Sequence, residues 1–302
     1  MAKSYRIAVI AGDGIGHEVM PEGIAAMETA ARTYGFGFTW NDFDWSCERY
    51  RKTGRMMPED ALDRLRLYDA VYLGAVGHPD VPDHISLWGL LIPLRRSFHQ
   101  YVNLRPVRLL AGVESPLRDR APGDIDFYVV RENNEGEYSE IGGRLYAGSE
   151  YEMAMQEAVF TKRGCDRVMR YAFELARTRK KHVTSATKSN GIIHTMPFWD
   201  ERFVAVARDY PDVKTDQYHI DILTAHFVRH PTGSTSSSAR TSLATSSPIS
   251  APPSWGQSVS RHPATSTRSV NTRRCSNRYT VRRPISPGAA SPTQSGKSGQ
   301  AR

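Results

Sequence analysis

Three arginines stand where rigid cations could bind the carboxylates of a small acid. Arg95 and Arg105 each lie beside apolar residues, and Arg131 directly follows the apolar run Phe127–Val130. A guanidinium is a planar fork of N–H donors that matches a carboxylate in a bidentate pair. A single arginine of this kind is usually a salt-bridged surface residue. Three of them at strand ends or on adjacent helices predict a cage for a dicarboxylate.

Other polar side chains are less informative one by one. Lys188 closes the predicted strand Lys181–Thr187, where active-site groups of α/β sheets gather, although a strand-end lysine is commonly solvated. Tyr138 is of a type that usually packs, and Asp221, within an apolar segment, is either a helix cap or a ligand. Four histidines show no metal-like spacing and are interpreted as structural: His17, His194, His219 and His226.

The glycine-rich run Gly12–Gly16 lies between a predicted strand and a predicted helix. Its spacing is GxGxG rather than the GxGxxG of dinucleotide-binding turns. No acidic residue ends a second strand at the distance that such a motif requires. The run therefore predicts a tight strand-to-helix turn.

The order of elements predicts an α/β fold. Strand and helix patterns alternate as β-α-β-α-β over the first 76 residues, the rhythm of a doubly wound sheet. Asp69–Val76 is an almost continuous apolar run, as expected of a strand buried on both faces. The remaining predicted elements are strands at Tyr5–Ala11, Phe38–Trp45, Tyr101–Leu110, Asp126–Arg131 and Lys181–Thr187, a hairpin near Ile141–Arg144, helices that end at Gly35 and lie at Glu59–Leu67, Arg163–Lys180 and Ile192–Arg208, and an apolar-periodic segment at Tyr218–Val228.

Composition divides the chain near Pro231. Residues 232–302 contain no Asp or Glu, 10 Arg and Lys, and 18 Ser, whereas residues 1–231 carry 30 basic against 32 acidic residues. The net charge of +8 therefore arises in the tail. This tail holds too few large apolar residues to form a core and is predicted to be disordered. Nucleic-acid binding inferred from basicity would concern the tail alone.

The chain shows signs of a reducing compartment. Its three cysteines, Cys47, Cys165 and Cys275, have no metal-ligand or CxxC spacing. The N-terminus passes straight into a strand pattern without the apolar core of a signal peptide, and no apolar run is long enough to span a membrane. These features predict a cytoplasmic protein.

Several motifs, taken together, resemble one family. They resemble the metal-dependent decarboxylating dehydrogenases of 2-hydroxy acids, which include isocitrate, isopropylmalate and tartrate/D-malate dehydrogenases. The runs Leu87–Arg96, Arg131–Tyr138 and Thr187–Asn190 are most similar to the tartrate/D-malate branch. The resemblance covers residues 5–231. The motifs that carry it are Ile7–Glu18, Leu90–Arg95, Asn103–Pro106, Val130–Glu132, Thr187–Asn190 and Asp221–His226.

The resemblance implies an isopropylmalate-dehydrogenase-like two-domain fold with a large mixed sheet. Residues 1–100 would form a first α/β domain that lacks its C-terminal return segment. Residues 101–231 would form a second domain with the substrate-binding and dimer-interface elements, followed by the Ser/Arg/Pro-rich tail 232–302.

The resemblance also implies roles for the candidate residues. Lys188, acting with Asp221, would take the proton from the C2 hydroxyl of a hydroxy diacid. Tyr138 would protonate the enolate that decarboxylation leaves. Both carboxylates of the substrate would be held by Arg95, Arg105 and Arg131.

Cofactors and assembly follow from the same resemblance. Asn190 matches a position beside the nicotinamide of NAD. Asp221 would be one ligand of a Mg²⁺ or Mn²⁺ ion that chelates the substrate. In the family the lysine and this aspartate reach into the partner's site, so the resemblance implies a homodimer.

Two segments that the family has after Asp221 are absent from this sequence. One is a G-D-x-x-S-D run that supplies two further metal carboxylates, and the other is an H-G-S-A-P-D-I-A-G loop that holds the adenosine of NAD. Thr245 and Ile249 stand at the positions of those metal ligands. In a frame shifted by one base, residues 232–253 and 274–301 can encode both segments.

We therefore hypothesise a frameshift, in which one nucleotide was lost near codon 232. The chain as written is then predicted to have little or no activity, because two of three metal carboxylates are gone. It is also predicted to aggregate, since the strands of the first domain would lack partners.

Two alternatives remain open. A 3-isopropylmalate dehydrogenase would need an apolar pocket ahead of Arg95; Leu90 and Leu91 are compatible with such a pocket, while Trp88 would narrow it. A non-enzymatic protein that binds nucleic acid through its basic tail is the alternative of another class. The tail offers only Trp255 and Tyr279 as aromatics for base stacking, too few for a binding platform.

Overall fold

β1 (Ser4–Gly12) is the central strand of a parallel three-stranded sheet, between β2 (Gly37–Asp42) and β3 (Ala70–Ala75). This computed structural model describes residues 3–229 and 242–245, all within one compact unit. The side chains from Ile7 to Ile10 are buried, so β1 forms the centre of the first core. The predicted alternation of strands and helices is confirmed in this region.

α1 (Gly16–Tyr34) packs against this sheet and follows a turn that requires glycine. Gly12 has a φ of 77°, and a Cβ there would lie 1.9 Å from the carbonyl oxygen of Ala75. α1 buries Met20 against the sheet, and Gly35 ends the helix with a φ of 73° in the left-handed region. The predicted tight turn and helix stop are confirmed.

Short helices connect the first sheet to the second. Of these the sequence pattern predicted only the one within Glu59–Leu67, because helices of four to seven residues contain too few positions to establish a period. A π-helical turn directly precedes the helix that carries Arg95, and such turns are frequent at functional sites. These elements are α2 (Cys47–Thr53), α3 (Ala61–Leu65), α4 (Asp83–Ser86), the π-helical turn Leu87–Leu91 and α5 (Ile92–Ser97).

The second sheet is mixed, because one edge strand runs antiparallel to the others. The remaining strands of the described residues are β4 (Val102–Arg108), β5 (Asp126–Glu132), β6 (Gly142–Leu145), β7 (Met153–Gln156), β8 (His182–Thr187), β9 (Lys214–His219) and β10 (Ser242–Thr245). β6 and β7 form a separate antiparallel hairpin, as predicted near residues 141–144. The other five are ordered β4–β5–β10–β8–β9, with only β4 antiparallel. The predicted α/β class is confirmed.

Helices cover both faces of this second sheet. α6 (Lys162–Arg177) and α7 (Thr195–Ala207) pack on the face that carries Val130, where Trp199 is fully buried. α8 (Ile220–Arg229) packs on the opposite face, which carries Phe127, Val129 and Ala186. The predicted helices near 163–180 and 192–208 are confirmed by α6 and α7.

Two local predictions were wrong, and one segment that the sequence left without an element type is now assigned. The apolar-periodic segment Tyr218–Val228 comprises the end of β9 and most of α8. β3 is half-buried rather than buried on both faces, because it is an edge strand within the described part of the first sheet. Ser242–Thr245, in the tail predicted to be disordered, pairs as β10 between β5 and β8, which supplies partners to backbone groups of both strands. The rest of that tail lies outside the described residues.

Candidate active site

Arg131 and Arg105 lie on one face of the second sheet. Arg131 is the penultimate residue of β5, and Asn103 of β4 is directly opposite it. Arg105 follows two residues after Asn103, so its side chain projects from the same face at a diagonal position. Arg105 is exposed, and its Nε donates a hydrogen bond to Oδ1 of Asn103 at 3.2 Å. Arg131, by contrast, is only 4% exposed.

Arg95 reaches the same place from α5. Burial lowers the pKa of the Arg95 guanidinium, and the positive charge of Arg131 lowers it further. Arg105 acts in the same direction, while Tyr138 opposes the shift. Such charge effects fall off with distance, which indicates that Arg95 lies near Arg131 and Arg105, and the register of β4 and β5 puts those two on one face. We refer to Arg95, Arg105 and Arg131 as the arginine cluster.

The arginine cluster carries uncompensated positive charge. Across residues 3–229 no carboxylate lies within ion-pair distance of any of its three members. The buried Nε of Arg131 also has no hydrogen-bond partner among the described residues. Bringing three like charges together is unfavourable unless an anion offsets them. The cluster can therefore stabilise a bound dianion.

Tyr138 adjoins the arginine cluster. The guanidinium of Arg131 lies 5.2 Å from the centre of its ring, a cation–π contact. The backbone carbonyl of Tyr138 accepts a hydrogen bond from Nη2 of Arg96 at 2.7 Å. The phenol is half-buried and thus remains open to a bound molecule.

Lys188 and Asp221 form a second group. Lys188 follows β8 directly, Asp221 lies in the first turn of α8, and Nζ of Lys188 donates a hydrogen bond to Oδ2 of Asp221. The side chains are 41% and 62% exposed. Within residues 3–229 no hydrogen bond or ion pair joins this pair to the arginine cluster. Lys188 directly follows β8 and Arg131 lies near the end of β5, and these two strands flank β10.

Asn190 is exposed in the turn after Lys188. The backbone N–H groups of Gly191 and Ile192 both donate to the carbonyl of Lys188 at 3.0 Å, which closes this turn. Asn190 is thus placed beside Lys188 on an open surface. One exposed amide provides only a small part of a dinucleotide-binding site. The segment 274–301, compared above with the family's adenosine-binding loop, lies outside the described residues.

The described residues do not fit a divalent metal ion. Among them there is no group of three or more His, Cys, Asp or Glu side chains that could hold one. Asp221 contributes a single carboxylate, already paired with Lys188. Thr245 pairs with Arg131 and Ala186 through the backbone of β10, and Ile249 lies outside the described residues. Mg²⁺ in proteins is held through one or two carboxylates together with water and substrate oxygens, and Asp221 is the one carboxylate among the candidate residues of the described region.

Two buried carboxyl groups escaped the sequence analysis. Burial acts to raise the pKa of Asp13, but backbone N–H groups of Cys47, Gly77 and Glu48 donate to its carboxylate and lower the pKa overall. These bonds join the turn after β1 to α2 and to the end of β3. Asp13 is therefore fully engaged by the protein itself.

Glu132 has the opposite behaviour. It is 1% exposed, and burial raises its pKa although the N–H groups of Asn134 and Glu135 donate to Oε1. Arg167 lies 3.7 Å from that oxygen. Because Asn134 and Glu135 lead to Tyr138, Glu132 shapes the turn between the end of β5 and the site.

The chain belongs to the isocitrate/isopropylmalate dehydrogenase family, which it matches over residues 6–236. It is 58% identical over 234 residues to a D-malate dehydrogenase [decarboxylating] of Escherichia coli K12, covering 76% of this chain and 65% of that protein. It is 56% identical over 233 residues to a tartrate dehydrogenase/decarboxylase of Pseudomonas putida, covering 76% and 64%. The chain thus spans somewhat less than two thirds of the length of these relatives.

A solved structure is similar in fold. An isocitrate dehydrogenase from Methylococcus capsulatus superposes with a TM-score of 0.68 at 27% identity, over 80% of this chain and 66% of that one. The predicted family membership is confirmed. In residues 3–229 and 242–245 no helix is long and apolar enough to cross a membrane.

Proposed function

We propose that this chain carries the substrate-binding residues of a dehydrogenase that oxidises and decarboxylates tartrate or D-malate. The observation that carries the proposal is the arginine cluster, whose buried Arg131 has no carboxylate partner in the described part of the chain. Guanidinium groups favour carboxylates through paired, charge-assisted hydrogen bonds. The names of the relatives support a hydroxy diacid as the molecule bound.

The chain's own residues suit two tasks, carboxylate binding and proton transfer. Arg95, Arg105 and Arg131 hold the two carboxylates of the acid and favour the negative charge that develops as CO₂ leaves. Tyr138, held against Arg131, delivers a proton to the enolate carbon. The remaining proton, on the C2 hydroxyl, passes to the paired groups Lys188 and Asp221.

NAD and a Mg²⁺ or Mn²⁺ ion are the cofactors that we propose for the reaction of a complete family member. NAD supplies the hydride acceptor, and Asn190 is the described residue proposed to contact it. The described residues include no group of side chains that could hold a metal ion. The roles proposed for this chain are therefore limited to binding and proton transfer by its own side chains.

We also propose that the chain as written has little or no activity and is prone to aggregate, and that a lost nucleotide near codon 232 is the cause. The match to the family ends at residue 236, close to Thr232, where the tail that contains no Asp or Glu begins. Resequencing of the locus tests the cause, because an intact frame in all isolates refutes it.

An activity comparison tests the function. The chain as written and a version with one base inserted near codon 232 are assayed with NAD, Mn²⁺ and D-malate or tartrate. We expect turnover only with the restored frame. Equal turnover by both proteins refutes the proposed inactivity, and no turnover by the restored protein with either acid refutes the proposed activity.

A homodimer is proposed as the active form. Lys188 and Asp221 pair on the exposed surface of one chain, and the family resemblance implies that this pair reaches into the partner's site. The hairpin of β6 and β7 supports association, because its register places Leu145, Met153 and Met155 on one face and all three are exposed. Exposed apolar faces of this kind commonly mark protein interfaces.

The two alternative functions are separated by simple measurements. Trp88 is stacked against the guanidinium of Arg96 at 5.0 Å, a contact that any pocket for an isopropyl group would have to accommodate. Faster turnover of 3-isopropylmalate than of D-malate by the restored protein would favour the isopropylmalate enzyme. Nucleic-acid affinity that persists after deletion of residues 232–302 would exclude binding through the tail.

A further inference from the structure

Arg96 follows Arg95 on α5 but makes different contacts. Its guanidinium stacks over the indole of Trp88 at 5.0 Å, and Nη1 forms an ion pair with Oε2 of Glu140 at 3.1 Å. Neighbouring residues of a helix project in directions about 100° apart, so the side chains of Arg95 and Arg96 contact different parts of the protein. Arg96 is turned toward the segment that contains Tyr138.

The contact between Arg96 and Tyr138 spans 42 residues of sequence. Nη2 of Arg96 donates a hydrogen bond of 2.7 Å to the carbonyl oxygen of Tyr138. The same guanidinium therefore contacts Trp88, Glu140 and the Tyr138 backbone at once. An arginine can do this because its planar fork carries five donors and stacks flat on aromatic rings, whereas a lysine ammonium is a compact charge with three donors.

The Tyr138 segment is otherwise held from the side of the hairpin. Nε2 of Gln156, the last residue of β7, donates to the carbonyls of Glu137 and Ser139 at 2.6 and 3.3 Å. The N–H of Gly136 donates to the carbonyl of Val159 at 2.8 Å. Hydrogen bonds from the hairpin side thus fix the backbone on both sides of Tyr138, and the Arg96 bond ties the same backbone to α5.

We propose that Arg96 is a positioning residue that fixes the Tyr138 side chain relative to Arg95 and Arg131. Arg95 shares the rigid helix α5 with Arg96, so the bond to the Tyr138 carbonyl sets the separation between helix and phenol. The significance of this placement rests on the proposed function, in which Tyr138 is the proton donor. Substitution of Arg96 should therefore displace or mobilise Tyr138 while the arginine cluster itself stays intact.

The test uses ¹⁹F NMR of the full chain labelled with 3-fluorotyrosine. The chain has 14 tyrosines, and the Tyr138 resonance is assigned as the signal that disappears from the spectrum of the Tyr138→Phe variant. We expect Arg96→Ala and Arg96→Lys to shift or broaden that resonance. The matched control is Arg66→Lys, because Arg66 also lies over an aromatic ring, Phe98 at 5.9 Å, and pairs with Asp63 at 3.5 Å.

A second measurement suits dilute protein. Hydrogen exchange of the peptide covering residues 136–141, followed by mass spectrometry, should become about tenfold faster in Arg96→Ala, as expected for the loss of a charged hydrogen bond. An unchanged Tyr138 resonance and unchanged exchange in either folded Arg96 variant overturn the proposal. Equal changes in the Arg66→Lys control also overturn it. Titration calorimetry with D-malate tests the proposed function independently. If D-malate does not bind, the proposed function is refuted, whereas the positioning role of Arg96 is judged by the two measurements above.

Discussion

The guanidinium of Arg131 lies 5.2 Å from the ring centre of Tyr138, at a position where Arg131 is almost completely buried. This contact covers one face of a charge that has no carboxylate partner within residues 3–229. A ring stacked on a guanidinium covers its face, whereas carboxylates bind at its N–H edges. Arg131 and Tyr138 are therefore a preformed pair.

The aromatic ring, not the hydroxyl, should stabilise Arg131. Tyr138→Phe keeps the cation–π contact and should change the free energy of unfolding by less than about 0.5 kcal/mol. Tyr138→Leu removes the contact and should cost about 1–2 kcal/mol, the size of a desolvated cation–π interaction. Urea unfolding followed by circular dichroism measures both. An equal loss in the two variants would show that the hydroxyl is the stabilising group.

The exposed pair Lys188–Asp221 should contribute little to stability. Surface ion pairs are worth about 0–1 kcal/mol, so Lys188→Met should change the free energy of unfolding by less than about 1 kcal/mol. Arg202→Met is the matched comparison, since Arg202 binds Asp166 through two hydrogen bonds with both side chains about 20% exposed. It should cost more. A larger loss for Lys188→Met would indicate a structural rather than a catalytic pair.

Asp13 should make stability depend on pH. Its folded-state pKa lies below the unfolded value of about 3.9, so its stabilisation is complete above that value and is lost as pH falls through the folded pKa. Asp13→Asn should cost about 1–3 kcal/mol at pH 7 and progressively less below pH 4. Denaturation curves at pH 7 and pH 3 measure how the cost of Asp13→Asn in free energy of unfolding changes with pH. Asp44→Asn is the control, because the Asp44 side chain is 78% exposed. A cost independent of pH would contradict the ionised state of Asp13.

The hairpin face should mediate self-association. In the protein with the restored frame, a double substitution of Leu145→Asp and Met153→Asp places two charges on the exposed face of β6 and β7 and should convert a dimer to a monomer in sedimentation velocity. Leu67→Asp changes a comparably exposed leucine elsewhere and should leave the dimer intact. A double variant that stays dimeric would place the interface on another surface.

The three arginines could be singled out from the sequence because their positions beside apolar strand and helix patterns are local properties; that they bind a diacid stays a prediction. Once β4 and β5 pair antiparallel, the placement of Asn103 opposite Arg131 puts Arg105 on the same face. The pairing of Lys188 with Asp221 likewise follows from the end of β8 and the start of α8. Patterns of this kind can be recognised one element at a time.

Contacts between distant segments could not be predicted in the same way. The N–H donors to Asp13 come from residues 34 to 64 positions later, and Arg96 reaches a carbonyl 42 positions away. Nothing in residue type or spacing distinguishes these side chains from ordinary surface charges. The short helix α5 was also missed, because six residues show no helical period.

The most direct test of the arginine cluster is isothermal titration of the full chain with D-malate or tartrate at low ionic strength. We predict saturable binding that weakens by about 10- to 100-fold in Arg105→Gln and in Arg131→Gln, the loss expected for one charged hydrogen-bonding group. Arg64→Gln, which removes an exposed arginine of α3, should bind as the unmodified chain does. Binding that is absent in the unmodified chain, or unaffected by either cluster substitution, would contradict the assignment.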